Sequence, residues 1–484
     1  MGIKAVAETL DVDICVIGGG SGGLSVAAGA VQMGARVALV EKHKMGGDCL
    51  NYGCVPSKAL LAAAHAAAAQ RAPGAFGVAP HAPAVDWAKV HDHVHGVIAA
   101  IAPVDSVERF AGLGVTVILG AARFAGPREV IAATPAGETR IRAKWIVIAT
   151  GSRAAVPPVP GLETVPFLTN ETIFERKTAP EHLVIIGGGP IGLEMAQAHR
   201  RLGARVSVLE LGTIMPKDDP ELVEVVRERL VAEGVALFEQ TKVLRVEQRG
   251  AGIAVEIEHG GKRQFVEGSD LLVAAGRAAN VDGLDLEKAG VAYTKRGITV
   301  DAHLRSANKR VFAIGDAAGG YQFTHVAGWH AGIVIRQMLF RLFWTKADAR
   351  AVPWVTFTDP ELAHVGLSEA EAKKQHGDLR VLRWSFHEND RAQAERATEG
   401  FVKVIASRKG RILGASIVGK SAGELIHPWV LAVANRMKVS QLASYIAPYP
   451  TLGEAGKRAA GSYYTPSLFS DRTRRVVRFL LRFT

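Results

Sequence analysis

One stretch of this chain occurs twice. The first copy runs from Asp13 through Gly18-Gly19-Gly20-Ser21-Gly22-Gly23 to Val37-Ala38-Leu39-Val40-Glu41. The second runs from His182 through Gly187-Gly188-Gly189-Pro190-Ile191-Gly192 to Val206-Ser207-Val208-Leu209-Glu210. Every landmark is displaced by the same 169 residues, and even Gly34-Ala35-Arg36-Val37 returns as Gly203-Ala204-Arg205-Val206. Each copy reads as an apolar strand, a glycine turn, an Ala/Gly-rich helix, a second apolar strand and a closing acid, which is the dinucleotide-binding βαβ unit. Gly18 and Gly187 permit the tight turn. Gly20 and Gly189 let the backbone approach a pyrophosphate at the helix N-terminus, and Gly23 and Gly192 let that helix pack close to the sheet. Glu41 and Glu210 stand where a carboxylate accepts hydrogen bonds from a ribose. Two such units imply two different dinucleotides, for which FAD with a nicotinamide nucleotide is the usual pairing.

At 484 residues the chain is expected to hold two to four domains, and 48% hydrophobic against 22% charged residues is globular composition. No uncharged apolar run approaches the roughly 18 residues needed to span a bilayer. Met1–Asp11 lacks a basic segment followed by a long apolar one, so no leader is read there and a cytoplasmic location is expected. The net charge of +11 is partly local, since Arg472, Arg474, Arg475, Arg478 and Arg482 crowd the end of the sequence. Without a zinc-finger spacing or a basic–aromatic signature, nucleic acid is not expected as a partner. The three cysteines, Cys15, Cys49 and Cys54, are too few for a secreted disulfide scaffold. Cys15 sits mid-strand and reads as a small buried hydrophobe.

The other two cysteines follow the first closing acid, in Gly46-Gly47-Asp48-Cys49-Leu50-Asn51-Tyr52-Gly53-Cys54-Val55-Pro56-Ser57-Lys58. Five positions apart at the start of an Ala-rich helix, they can approach across its first turns, and the helix N-terminus favours a thiolate at the nearer one. A metal site would require two more soft ligands, and only Cys15 remains, so a redox disulfide is read and no metal.

With this motif the chain resembles, over nearly its whole length, the pyridine nucleotide–disulfide oxidoreductases, the family of lipoamide dehydrogenase, glutathione reductase and mercuric reductase. The resemblance implies an α/β fold with two Rossmann-like domains, for FAD and NAD(P), and a C-terminal α+β interface domain. It implies that Cys54 faces the flavin and forms the charge-transfer thiolate, that Cys49 is the interchange thiol, and that Lys58 sits near flavin N5 paired with Glu194. Ala149-Thr150-Gly151-Ser152 would close the first stretch of flavin domain, and Gly276-Arg277 with Asn280 would mark the return to it, Gly276 serving the nicotinamide nucleotide. Val311-Phe312-Ala313-Ile314-Gly315-Asp316 resembles the flavin-ribityl motif, and Thr324-His325-Val326-Ala327 the start of the helix packed on the isoalloxazine. Gly47, Asp48, Thr150, Gly151, Asp316 and Ala327 are thus expected at the FAD. The implied layout is an FAD domain of residues 10–155 and 275–348, an NAD(P) domain of 156–274, an interface domain of 350–470 and a basic amphipathic tail of 471–484. The interface domain would open with Thr356-Phe357-Thr358-Asp359-Pro360-Glu361-Leu362. It implies a homodimer whose C-terminal residues reach the partner's active site. It also implies two half-reactions, with hydride passing from NADH to FAD and electrons then passing through Cys49–Cys54 to a disulfide or another oxidant. NADPH is disfavoured, because Glu210 repels a 2′-phosphate and Leu211, Gly212 and Thr213 supply no arginine.

Three places depart from the family pattern. Where relatives carry a His-Pro-Thr-x-x-Glu acid–base motif, this chain reads Tyr449-Pro450-Thr451-Leu452-Gly453-Glu454. A phenol titrating near ~10 is a poor base at neutral pH, so efficient lipoamide or glutathione chemistry is not expected. His427-Pro428 lacks the Thr-x-x-Glu and lies in the apolar stretch Glu424–Ala434, which is read as one helix. Mercuric-ion reduction is the alternative activity, although the vicinal cysteine pair and metal-capturing N-terminal domain of that enzyme are not found in the sequence. Asp48 replaces a threonine and is expected to raise the pKa of Cys49. Two further features fall outside the motifs. His91 and His95 share a helical face, read as solvated for want of a nearby carboxylate–histidine pattern. The tail, five arginines among Val476, Val477, Phe479, Leu480, Leu481 and Phe483, would form a basic amphipathic helix suited to peripheral membrane contact, or packed on its own dimer. A membrane-associated electron-transfer subunit is the reading that follows from the former.

Overall fold

The computed structural model describes residues 9–71 and 76–483. Residues 1–8, which bear on the reading of Met1–Asp11, and Thr484 of the tail lie outside them. The chain divides into two compact units. One comprises Met1–Gly187, Ala198–Leu209 and Thr241–Asp348, and the other Gly188–Gln197, Glu210–Gln240 and Ala349–Thr484.

The first unit is organised by strand Thr9–Ile17, which pairs in parallel with Val37–Glu41 on one side and Gly137–Ile148 on the other. The sheet continues outward to Thr116–Leu119 in parallel and to the antiparallel pair Glu129–Thr134 and Ala121–Gly126, while Val311–Ala313 joins Gly137–Ile148 in parallel. The central strand has apolar residues at consecutive positions because both its faces are covered. Ile14 and Val16 pack into one core with Leu24, Leu39, Phe110, Trp145 and Phe312. Cys15 and Ile17 point the other way, into a core with Val40, Phe124, Ile141 and Ile146. Burial pushes the Cys15 thiol up to about 12, so it is an inert core residue. The second copy of the duplicated stretch forms strands His182–Ile186 and Arg205–Leu209, parallel, with Asp270–Val273 on the far side of the former.

The second unit is built on a five-stranded antiparallel sheet in the order Pro353–Thr356, Glu361–Gly366, Ile412–Gly419, Phe401–Ser407, Leu379–Ser385. Helices His427–Ala434 and Glu454–Ser462 cover it, burying Trp429, Val433, Ala455 and Ala459 with Val402, Val404 and Ile417. Lys403 is 4% exposed on a central strand, with Asp219 at 2.6 Å, Glu369 at 2.8 Å and Glu221 at 2.9 Å around its ammonium. Those carboxylates offset the cost of removing the charge from water. The stretch read as one helix over Glu424–Ala434 is two, Ala422–Leu425 and His427–Ala434, with Pro428 in the first turn of the latter where a missing N–H costs nothing.

Candidate active site

The two glycine turns are alike down to single hydrogen bonds. Gly18 N–H donates to the Val40 carbonyl at 2.8 Å and Gly187 N–H to that of Leu209 at 2.9 Å. Gly18 has φ +108° and Gly187 φ +118°, and a Cβ at either would run into the carbonyl oxygen of Ala149 or Ala274. A Cβ on Gly23 would strike the Gly18 carbonyl, which is why the helix Ser21–Gln32 can start so close to the turn. That helix has Gly20 at its N-cap and no side chain capping it, so its first N–H groups are available to an anion. The closing acids carry a second duty that the sequence did not suggest. Glu41 accepts from Gly19 N at 2.5 Å and His43 N at 2.7 Å, and Glu210 accepts from Gly188 N at 2.6 Å and Gly212 N at 2.9 Å. Each carboxylate therefore braces its own glycine turn. The turn geometry, the uncapped helix start and the braced acid fit a dinucleotide pyrophosphate and ribose.

The cysteines sit on two helices rather than at the head of one. Cys49 lies in the short helix Gly47–Asn51, and Cys54 is the first residue of Cys54–Arg71. Gly46 and Gly47 take φ +86° and +60°, allowing the loop to lie on the first turn, where Gly46 N–H bonds the Gly19 carbonyl at 2.9 Å. Asn51 closes the loop by donating to the carbonyls of Met45 at 3.0 Å and Gly47 at 2.9 Å. Both sulfurs are thiols and they hydrogen-bond one another. Their acidities split. The bond from Cys49, the Thr324 hydroxyl 3.4 Å away and the Lys58 ammonium lower Cys54 to about 6 against its desolvation. Cys49 is raised far above the usual thiol range by the Cys54 sulfur and by burial, and Asp48 adds to the shift in the expected direction as a lesser cause.

Asp48 is held from two sides. Asn170 Nδ2 donates to Oδ1 at 2.9 Å, and Arg277 Nη2 lies 3.1 Å from Oδ2. Arg277 also donates through Nε to the Ser152 hydroxyl at 2.7 Å, and its Nε lies 3.7 Å from Asp316 Oδ2. Ser152 donates to the same Asp316 oxygen. Burial raises the pKa of Asp316, with Ser152 and Arg277 pulling it back. Nearby, Asn280 and Thr150 exchange two hydrogen bonds, Oγ1 to carbonyl at 2.7 Å and Nδ2 to carbonyl at 3.0 Å, fixing the turn at Gly151. Ala327, in the helix Thr324–Phe340, is buried against the start of helix Ser21–Gln32. Gly276, φ +123°, directly precedes Arg277. The structure thus brings Gly47, Asp48, Cys49, Cys54, Lys58, Thr150, Gly151 and Asp316 into one unit.

Glu194, Tyr449 and Glu454 belong to the other unit. Glu194 accepts from Phe357 N at 3.0 Å. Tyr449 is 69% exposed and donates to Asp390 Oδ2 at 3.0 Å, which raises the phenol's pKa. Glu454 opens the helix Glu454–Ser462. His427 has its Nδ1 3.0 Å from the Glu424 carbonyl at the start of its own helix. Thr324, Asn170, Ser152 and Asp390 are site residues that the sequence alone does not single out. Thr324 and Ser152 lay inside quoted motifs, but Asn170 and Asp390 have no local pattern that would mark them.

A parallel sheet with duplicated nucleotide turns and a polarised thiol pair beside the first of them define a dinucleotide-dependent dithiol oxidoreductase. Residues 12–331 match the family described as Pyridine nucleotide-disulphide oxidoreductase, and residues 352–460 match its dimerisation domain. The chain belongs to this family and is an FAD-dependent enzyme of it. It is 34% identical to mercuric reductase of Staphylococcus aureus over 93% of its length and 82% of the relative's. It is 32% identical to dihydrolipoyl dehydrogenase of Bacillus subtilis over 91% of its length and 96% of the relative's. Among solved structures, LpdA of Mycobacterium tuberculosis superposes with TM-score 0.86 at 27% identity, covering 93% of this chain and 100% of that one. The Cu(II) complex of the HOCl-induced flavoprotein disulfide reductase RclA from Escherichia coli gives TM-score 0.84 at 27% identity, covering 93% and 99%. The family and fold class expected from the sequence are those found.

Proposed function

We propose that the enzyme draws electrons from NADH and passes them through Cys49 and Cys54 to an external oxidant, with Cys54 facing the flavin and Cys49 meeting the acceptor. The split acidity of the two thiols carries this reading. An anion at Cys54, sustained by Lys58, Thr324 and the Cys49 thiol, suits the sulfur that stays beside the flavin, while a protonated Cys49 suits one awaiting its acceptor. When bound, FAD supplies the relay of reducing equivalents between nicotinamide and sulfur. Gly18, Gly20, Gly23, Glu41, Gly47, Asp48, Lys58, Thr150, Gly151, Asp316 and Ala327 would hold it, and Gly187, Gly189, Gly192, Glu210 and Gly276 the nicotinamide nucleotide. The domains on this reading are residues 10–155 with 275–348 for FAD, 156–274 for NAD(P) and 350–470 for the interface of a homodimer.

For Cys49 to attack a disulfide its proton must leave. The Tyr449 hydroxyl donates a hydrogen bond to Asp390 and keeps its proton, so it is not the base, and disulfide turnover is slow on this account. A thiophilic metal ion is the second reading, favoured by the 34% identity to an enzyme named for mercuric ion. The exposed helix Asp471–Leu480 supports peripheral contact of a cytoplasmic dimer with an anionic bilayer. NADH oxidation assayed against disulfides, quinones and metal ions, with Hg2+ in excess thiol, tests the proposal. Acceptor-dependent turnover is expected and is lost in Cys49→Ser and Cys54→Ser. Full turnover in both variants would remove the sulfur pair from the pathway.

A further inference from the structure

His91, His95 and Glu175 lie in the first unit, apart from the thiol pair. The histidines stand one turn apart on the helix Trp87–Ile101, where i,i+4 side chains project together, and their ring centroids are 4.1 Å apart. The face they occupy is only partly open to solvent. The His91 side chain is 12% exposed and that of His95 31%, because the short helix Ile173–Glu175 packs beside them. That helix supplies the carboxylate missing from the local sequence, with Glu175 Oε2 3.6 Å from His95 Nε2. One ligand atom from each of the three residues lies within 4.8 Å of the other two.

We propose that His91, His95 and Glu175 form a binding site for a borderline divalent transition ion of the Zn2+ or Cu2+ class. Two imidazoles and one carboxylate are the donor set such ions take, with the remaining position left to water. Ligands sharing an ion at about 2.0–2.2 Å lie closer together than 4.8 Å, so binding on this proposal draws the three side chains inward. Asp92 Oδ1 lies 3.2 Å from His91 Nδ1, placed to accept a hydrogen bond from an N–H there, fix the tautomer and leave Nε2 for the ion. His95 Nε2 stands 3.2 Å from the Phe174 carbonyl, a contact the ion would replace. Arg176, next in the chain after Glu175, is ion-paired with Asp270. An ion here would tie the helix Trp87–Ile101 to the segment that also carries Asn170, the partner of Asp48.

The test uses the flavin-loaded enzyme with Cys49 and Cys54 oxidised to the disulfide, so that thiolates do not compete. Calorimetric titration with Zn2+ should give one site per chain, and Cu2+ should give an electron paramagnetic resonance spectrum with hyperfine splitting from two nitrogens. His91→Ala and His95→Ala should each weaken Zn2+ binding at least about tenfold, and Glu175→Gln less, with flavin content unchanged. Should the alanine variants fold poorly, His91→Gln and Glu175→Gln give the same reading. Zn2+ binding unchanged in the variants, no binding at all, or a copper spectrum without two nitrogens would overturn the proposal.

Discussion

Cys54 opens a helix and receives a hydrogen bond from Cys49, and its acidity depends chiefly on that one donor. With its pKa lowered to about 6, Cys54 is a thiolate at neutral pH and takes up a proton as pH falls through about 6. In the reduced enzyme the long-wavelength flavin–thiolate absorbance should fade over that range and be absent in Cys54→Ser. Cys49→Ala removes the largest stabilising contact and should move the midpoint upward, toward the ordinary thiol range. A midpoint that stays near 6 would shift the credit to Lys58 and Thr324. Tyr449 shows the same logic in reverse, since the Asp390 carboxylate raises the phenol's pKa and keeps it protonated. Tyr449→Phe should leave flavin reduction by NADH untouched and slow acceptor turnover only modestly. Tyr449→His, with an imidazole titrating near ~6.5, should raise turnover of lipoamide or glutathione disulfide. No gain in either, with flavin retained, would mean that pocket shape rather than the missing base sets substrate choice.

At the scale of elements, the glycine turns work only as units with their closing strands. Glu41 and Glu210 each use two oxygens on two backbone N–H groups, so neither carboxylate can swing away from its turn. A fixed anion at Glu210 opposes a 2′-phosphate, and the exposed Leu211 beside it offers no compensating charge. The kcat/KM for NADH should exceed that for NADPH by at least about tenfold, roughly 1.4 kcal/mol in transition-state binding. A tenfold advantage for NADPH would remove this assignment. The cysteine loop is equally dependent on its neighbour, because Gly47 lies so close to Gly20 that a Cβ there would meet the Gly20 Cα. The redox loop is thus seated on the first nucleotide turn by backbone contact.

For the whole molecule, no helix among the described residues is long and apolar enough to cross a membrane. On the proposed function the tail makes a different, peripheral contact. Helix Asp471–Leu480 carries Arg474, Arg475 and Arg478 on one side and Val476, Val477 and Leu480 on the other, all exposed. Basic residues flanking an apolar face complement anionic lipid headgroups. The intact enzyme should co-sediment with phosphatidylserine-containing vesicles, release at high salt and ignore neutral vesicles, and a chain ending at Ser470 should lose the binding. If the truncated chain still sediments, the tail is not the anchor. If truncation instead converts dimer to monomer in light scattering, the tail is an interface element.

The duplication, the glycine turns, the thiol pair and the tail helix were legible in the sequence because each is local. A tight turn needs glycine at fixed spacings, a two-sided strand needs consecutive apolar residues, and an amphipathic helix needs a repeating face. The departure at Tyr449 is equally local, since a phenol's chemistry does not depend on its surroundings to differ from an imidazole's. Other features required distant residues to meet. Asn170 and Arg277 grip Asp48 across 122 and 229 positions of chain, and Thr324 reaches Cys54 across 270. Glu175 reaches His95 across a further gap of this kind, turning what read as a solvated face into a cluster. The separation of the two thiol acidities likewise belongs to the tertiary structure. It arises from a hydrogen bond, a burial and an ammonium whose positions are set by packing, and packing joins residues that no sequence period relates.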